Sequence, residues 1–206
     1  MLAFKLSAKA FITSVAETKF KLNGLKVSNQ SRLESIKNGY GVEDTKKILF
    51  DALPNNTFAL VNADDKNAKV MVQNCKAKIN YYALHRNADY SAQVLESQFK
   101  GMLLKINQNE IWTQMLGEFN AYNILAVYAI TQLLGKDELE SLKYISQLKS
   151  VPGRFQTFVN PDKILIVVDY AHTPDALKNV LMTINKIRTR NESLITVVGC
   201  GGNRDK

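Results

Sequence analysis

Cysteine is scarce in this sequence: Cys75 and Cys200 are the only two in 206 residues, and neither belongs to a Cys-x-x-Cys pair. That excludes a disulfide framework and a cysteine zinc site, and it fits a reducing, cytoplasmic setting. Proline and glycine are sparse as well, at 4 and 10 residues, so the chain is neither fibrous nor of low complexity. Long apolar runs are missing. The longest, Ile124 to Ile130, is seven residues, against the roughly 20 needed to span a membrane, so no membrane partner is expected. The opening sixteen residues are interrupted by Lys9 and by hydroxyl side chains, which breaks the apolar core that a secretory signal requires.

What is present is ordinary globular composition. Hydrophobic residues make up 46% and charged residues 22%, enough apolar material for one or two domains with a real core. The net charge is +8 and unevenly spread: residues 1–40 hold six lysines and one arginine against two glutamates, a net +5. Such a segment could suggest a nucleic-acid arm. Its charges are dispersed, however, with no arginine cluster and no interleaved aromatic platform, so no nucleic-acid partner is expected.

The pattern along the chain alternates strands with helices. Residues 1–40 show no sustained period. A short amphipathic helix over Val42–Leu53 stops at Pro54, and Thr57–Val61 reads as a buried strand ending at Asn62-Ala-Asp-Asp65. A helix near Asn67–Lys76 and a strand near Ile79–Leu84 follow. Residues 90–116 read as shorter antiparallel strands, turning at Asn107-Gln108-Asn109. Two helices come next. Asn120–Leu134 carries Ala121, Ile124, Leu125 and Tyr128 on one face and closes at Gly135; Asp137–Leu148 carries Leu139, Leu142, Ile145 and Leu148. Pro152-Gly153 marks a domain boundary. Beyond it are strands at Arg154–Val159 and Ile164–Asp169, a helix at Pro174–Arg188 and a last strand at Leu194–Val198. The order predicts an α/β fold with a substantially parallel sheet.

Two stretches carry chemistry. In Val168-Asp-Tyr-Ala-His-Thr-Pro-Asp175 a buried strand ends at Asp169, a loop carries His172, and a helix opens with Thr173 as N-cap and Pro174 in its first turn. Such strand-to-helix junctions bind ligands, phosphorylated ones especially. Asp169 can accept from ribose hydroxyls, and His172 can face phosphate. The same residues read equally well as a capped turn with an incidental histidine. The second stretch is Val198-Gly-Cys-Gly-Gly-Asn-Arg204-Asp-Lys206. Arg204 stands where the dinucleotide fingerprint needs its third glycine, and the spacing is not that of a Walker loop. Arg204 offers a planar fork suited to a carboxylate, or it is a surface arginine after a glycine-rich turn.

Taken together, Asp-Tyr-Ala-His-Thr-Pro-Asp-Ala-Leu and Gly-Cys-Gly-Gly-x-Arg-Asp-Lys closely resemble the Mur ligase family. Pro152-Gly-Arg-Phe-Gln156 is similar to that family's entry into its C-terminal domain, and Gly117-Glu-Phe-Asn-Ala-Tyr-Asn123 to its adenine-side helix. The resemblance covers about residues 42–206 and implies three segments. They are an unmatched basic segment (1–40), part of a central ATP-binding domain (41–151) and the beginning of a Rossmann-like C-terminal domain (152–206).

The implied activity is ATP-dependent amide ligation in peptidoglycan synthesis. A UDP-N-acetylmuramoyl dipeptide carboxylate is activated by ATP with Mg²⁺, and the amine of a diamino acid displaces phosphate. The resemblance puts Asn120 and Asn123 near the adenine, Arg154 and Asp169 near the ribose, and His172 towards the phosphates as the catalytic candidate. It puts Arg204 at the amino-acid carboxylate and aligns Lys46 with a lysine that becomes a metal ligand when carbamylated. The Gly-Cys-Gly-Gly-x-Arg form points to meso-diaminopimelate rather than lysine. The family's Gly-Thr-Asn-Gly-Lys-Thr-Thr phosphate loop does not occur in these residues. The expectation is therefore a partial ligase, inactive alone, with a non-catalytic relict or interaction module as the alternative.

Overall fold

A computed structural model of the chain describes residues 42–189 and 191–199, with residues 42–46 described as backbone only. Helix α1 (Val42–Asp51) is followed by β1 (Phe58–Asn62), a single helical turn α2 (Ala68–Met71) and β2 (Lys78–Ala83). Three further strands follow: β3 (Tyr90–Gln98), β4 (Gly101–Ile106) and β5 (Asn109–Thr113). They form one five-stranded sheet in the order β1-β2-β3-β4-β5. The pairings β1–β2 and β2–β3 are parallel; β3–β4 and β4–β5 are antiparallel. The sheet is thus parallel over β1–β3 and antiparallel over the strands expected at residues 90–116. The reason is local: two-residue turns at Phe99-Lys100 and Asn107-Gln108 reverse the chain as hairpins. Asn107 adopts φ 54°, a left-handed conformation that asparagine tolerates better than most residues.

Helix α3 (Glu118–Leu133) packs across β1, β2 and β3 and supplies the centre of the core. Its predicted face is the buried one. Ala121, Ile124 and Leu125 are fully buried, against Met102, Leu104 and Ile106 of β4. The Tyr128 hydroxyl donates to Glu138 at 2.7 Å and accepts from Asn107 Nδ2 at 2.7 Å, tying α3 to the hairpin and to α4 (Glu138–Ser146). Asp137 caps α4 by accepting from the Glu140 backbone N–H at 2.8 Å. Within α4, Leu142 and Ile145 are buried as predicted, but Leu139 is 67% exposed. It lies in the first turn, off the face that meets α3.

The chain then forms β6 (Gln156–Val159), β7 (Leu165–Val168) and α5 (Pro174–Ile187). Strands β6 and β7 make an antiparallel pair. The predicted strand at Leu194–Val198 is not formed: residues 193–199 carry no ladder, and Val197 is 94% exposed. An apolar, β-branched run acquires strand geometry only where a neighbour takes up its backbone groups, and among the described residues none does. The helix predicted at Asn67–Lys76 is only the one turn of α2.

Gly101 tests the hairpin packing. Its φ is +153°, and a Cβ there would lie 2.2 Å from the Thr113 carbonyl oxygen and 2.8 Å from the Trp112 ring. Gly101→Ala is expected to destabilise the sheet by about 1–3 kcal/mol or more, read as a lower urea midpoint. An unchanged midpoint would contradict this packing.

Candidate functional site

The end of β7 is built around a carboxylate. Asp169 Oδ2 accepts from the Phe155 backbone N–H at 2.8 Å, and Oδ1 accepts from the Ala171 N–H at 2.7 Å. A carboxylate offers about four acceptor positions, so each oxygen keeps one for a ligand hydroxyl. Phe155 is fully buried at φ 46°, a left-handed backbone that a bulky residue adopts only when its surroundings impose it. Beside it, the buried Arg154 lays its guanidinium over the Tyr170 ring, 4.7 Å from the centroid. Stacking engages the flat face of the guanidinium and not its N–H edge. His172 meets the same tyrosine edge-on at 5.2 Å. His172 Nδ1 lies 3.0 Å from the Tyr170 carbonyl oxygen. A carbonyl only accepts, so Nδ1 donates to it and Nε2 is the nitrogen left to face a ligand. Thr173 caps α5 by accepting from the Ala176 N–H at 3.3 Å, with Pro174 following.

A second element abuts this one. Helix α3 begins at Gly117, whose φ of +90° and 2.6 Å clearance to the Phe119 ring leave no room for a side chain. Phe119 and Phe155 meet at 5.8 Å between ring centroids, inside a small core of Leu116, Phe155, Val180 and Ile184. That core joins the first turn of α3 to β7 and α5. Asn120, buried in the same turn, donates to the Leu116 carbonyl at 2.7 Å and accepts from Asn123 Nδ2 at 3.1 Å. The two asparagines therefore play unequal parts. Asn120 spends its amide inside the protein, while the half-buried Asn123 keeps its own oxygen and one N–H.

A polar cluster borders the same helix end. Asp64, just beyond β1, accepts at Oδ2 from the backbone N–H groups of Leu84 (2.8 Å) and His85 (3.0 Å) and from the Tyr122 hydroxyl (2.8 Å). Burial pushes its carboxyl up, but these donors outweigh it and hold the group below the usual aspartate value. Burial and then the Asp64 carboxylate push the Tyr122 hydroxyl up. Glu118 pairs with His85 Nε2 at 3.0 Å and with Lys186 of α5 at 3.6 Å. The His85 contact, opposed by partial burial and helped by Lys186, lowers the Glu118 carboxyl.

The family model described as Mur ligase middle domain matches residues 14–131, and that described as Mur ligase, glutamate ligase domain matches residues 153–206. The chain belongs to the Mur ligase family. The UDP-N-acetylmuramoyl-L-alanyl-D-glutamate--2,6-diaminopimelate ligase of Parabacteroides distasonis is 53% identical over 161 residues, 78% of this chain and 33% of that protein. Its counterpart from Cytophaga hutchinsonii is 48% identical over 160 residues, with the same coverage of 78% and 33%. A solved structure of a ligase of that name superposes with a TM-score of 0.59 at 31% identity, covering 91% of this chain and 37% of that one. The chain thus spans about a third of the length of these curated relatives. The middle-domain match extends to residue 14, into the basic segment that shows no sustained period.

Of the candidate residues in this Mur ligase chain, Arg154, Asp169 and His172 come together around Tyr170, and Asn120 with Asn123 sits across the Phe119–Phe155 contact. Lys46 lies on α1, but its side chain is outside the described residues, as is Arg204 entirely. Among the described residues no group of three or more His, Cys, Asp or Glu comes together to hold a metal. Sequence reasoning missed Tyr170, Tyr122 and the Asp64 acceptor. Both tyrosines lie inside quoted motifs and Asp64 in the Asn62-Ala-Asp-Asp65 run, but nothing local marks the contacts they make.

The carboxyl shifts carry a prediction. A carboxyl lowered in the folded state stabilises the fold above its unfolded value and loses that contribution as pH falls through its folded value. Stability is expected to fall on acidification below about pH 4.5, the ordinary glutamate range, and Glu118→Gln should flatten part of that acid limb. Urea midpoints measured from pH 6 to pH 3 provide the check; superimposable profiles for the two proteins would contradict the pairing.

Proposed function

We propose that this chain supplies the nucleotide and amino-acid side of an ATP-dependent amide ligase. That ligase joins meso-diaminopimelate to UDP-N-acetylmuramoyl-L-alanyl-D-glutamate in peptidoglycan synthesis in the cytoplasm. The observation that carries the reading is the identity of about one half to relatives bearing that ligase name. It gives the ligase precedence over a non-catalytic module. No helix among the described residues is long and apolar enough to cross a membrane.

ATP, when bound, supplies the phosphoryl group that activates the dipeptide carboxylate. The residues of this chain bind and orient it. Asn123 presents its free amide edge to the base, and Asn120 holds that edge in register. Asp169 keeps one acceptor position on each oxygen for ribose hydroxyls, and the stacked Arg154 offers its N–H edge nearby. His172 directs Nε2 towards the phosphates from the loop that opens α5. Arg204 would pair with a carboxylate of the incoming amino acid, with the second carboxylate of diaminopimelate as the feature that distinguishes it from lysine. Mg²⁺ belongs to this reading through Lys46. The described residues offer no ligand set of their own, so no step is assigned to the ion.

The 206 residues contain no glycine-rich lysine phosphate loop, and such a loop supplies both the backbone N–H cradle and the ammonium that offset phosphoryl charge. Assayed alone, this chain is expected to release no phosphate in response to the UDP-dipeptide and diaminopimelate, and adenosine should compete for binding nearly as well as ATP. Substrate-dependent turnover, or Mg²⁺-dependent ATP binding far tighter than adenosine, would contradict this. Joining the chain to the complementary segments of a relative tests the substrate assignment. The chimaera should prefer diaminopimelate to lysine and lose that preference on Arg204→Ala; preference for lysine would overturn it.

A further inference from the structure

Asp64 lies in the Asn62-Ala-Asp-Asp65 run and has no role in the reading above, yet it is an unusually costly feature. Its side chain is only 10% exposed, and Oδ1 is buried without a hydrogen bond, with Arg86 Nε 3.9 Å away. All three of its donors converge on Oδ2, from the end of β2 and from α3. One of them, the Tyr122 hydroxyl, belongs to the residue beside Asn123. The Tyr122 ring is flanked edge-on by His85 at 6.3 Å, and His85 in turn holds Glu118 in the first turn of the same helix. The phenol–carboxylate bond is thus one of two links, with His85–Glu118, that tie the first two turns of α3 to the sheet edge. The Asn123–Asn120–Leu116 amide chain runs along the neighbouring face of those turns.

We infer that Asp64 and Tyr122 are a positioning pair that holds the free amide edge of Asn123 at the angle that selects adenine over guanine. The inference rests on the nucleotide reading given above. An asparagine amide pairs its oxygen with the adenine amino group and its N–H with a ring nitrogen. Guanine presents an oxygen where adenine has that amino group. The discrimination depends on which way the amide faces, and hence on how firmly the helix that carries it is held. Tyr122→Phe keeps the ring and its contact with His85 but removes the donor. Asp64 is then left with two donors and a pull towards Arg86.

The test titrates adenosine and guanosine separately into the full 206-residue chain and into Tyr122→Phe, with circular dichroism and a thermal melt to verify folding. The expected result is an adenosine preference in the parent chain that falls about three- to tenfold in the variant, the loss of one hydrogen bond's worth of orientation. A purely structural role would weaken both nucleosides together and leave their ratio unchanged; that outcome overturns the pair as a positioning device. A parent chain that binds neither nucleoside, or both equally, overturns the nucleotide reading itself and the inference with it. Asp64→Asn, which keeps an acceptor for Tyr122 but loses the charge, should lower the ratio by less than Tyr122→Phe. A larger drop in the ratio would assign the effect to the β2 backbone contacts and count against the pair.

Discussion

The arrangement depends on the bond from the Phe155 backbone N–H to Asp169. It holds a bulky residue in left-handed backbone, and that conformation turns the Phe155 ring inward against Leu116 and Phe119 while Arg154 is carried to Tyr170. An ordinary extended residue at 155 would continue β6 backwards and separate these neighbours. The cost of a non-glycine residue at positive φ is of the order of 1–3 kcal/mol. It is offset here by full burial of an aromatic ring and by a charge-assisted hydrogen bond. Strain, anchor and stacked cation are one device, and the two parts of the chain meet through it.

The mixed sheet assigns work to its two halves. Strands β4 and β5 are hairpin-paired and supply the dense core under α3, with Met102, Leu104 and Ile106 fully buried. Strands β1 and β2 are parallel, so their carboxyl ends open together beside the start of α3. That edge is where open α/β sheets place ligands, and it is where Asp64, His85, Glu118 and Tyr122 gather. Rigid packing on one side allows polar groups on the other to be held by a few directed bonds.

Glu118 connects the two units electrostatically as Phe155 connects them by packing. It answers His85 on one side and Lys186 of α5 on the other. Both pairs are substantially exposed, so their weight lies in orientation and pH response more than in stability.

The sequence by itself determined the local elements and the identity of the chemical groups. Period revealed α3 and α4, and the Thr173 cap marked the start of α5, since a capping oxygen satisfies helix N–H groups wherever the helix lies. The Asp-Tyr-Ala-His-Thr-Pro run marked a candidate site because neighbours in sequence stay neighbours on a turn, whereas Asn120 and Asn123 were indicated by family resemblance alone. Only the tertiary structure decided the rest. The donors that meet at Asp64 come from residues 20, 21 and 58 positions away, and no local pattern records such separations. Phe155 reads as the start of a strand until Asp169 and the Leu116 core impose another backbone. Leu194–Val198 has every local mark of a strand and forms none, because a strand is a property of a pair and its partner is set by the fold.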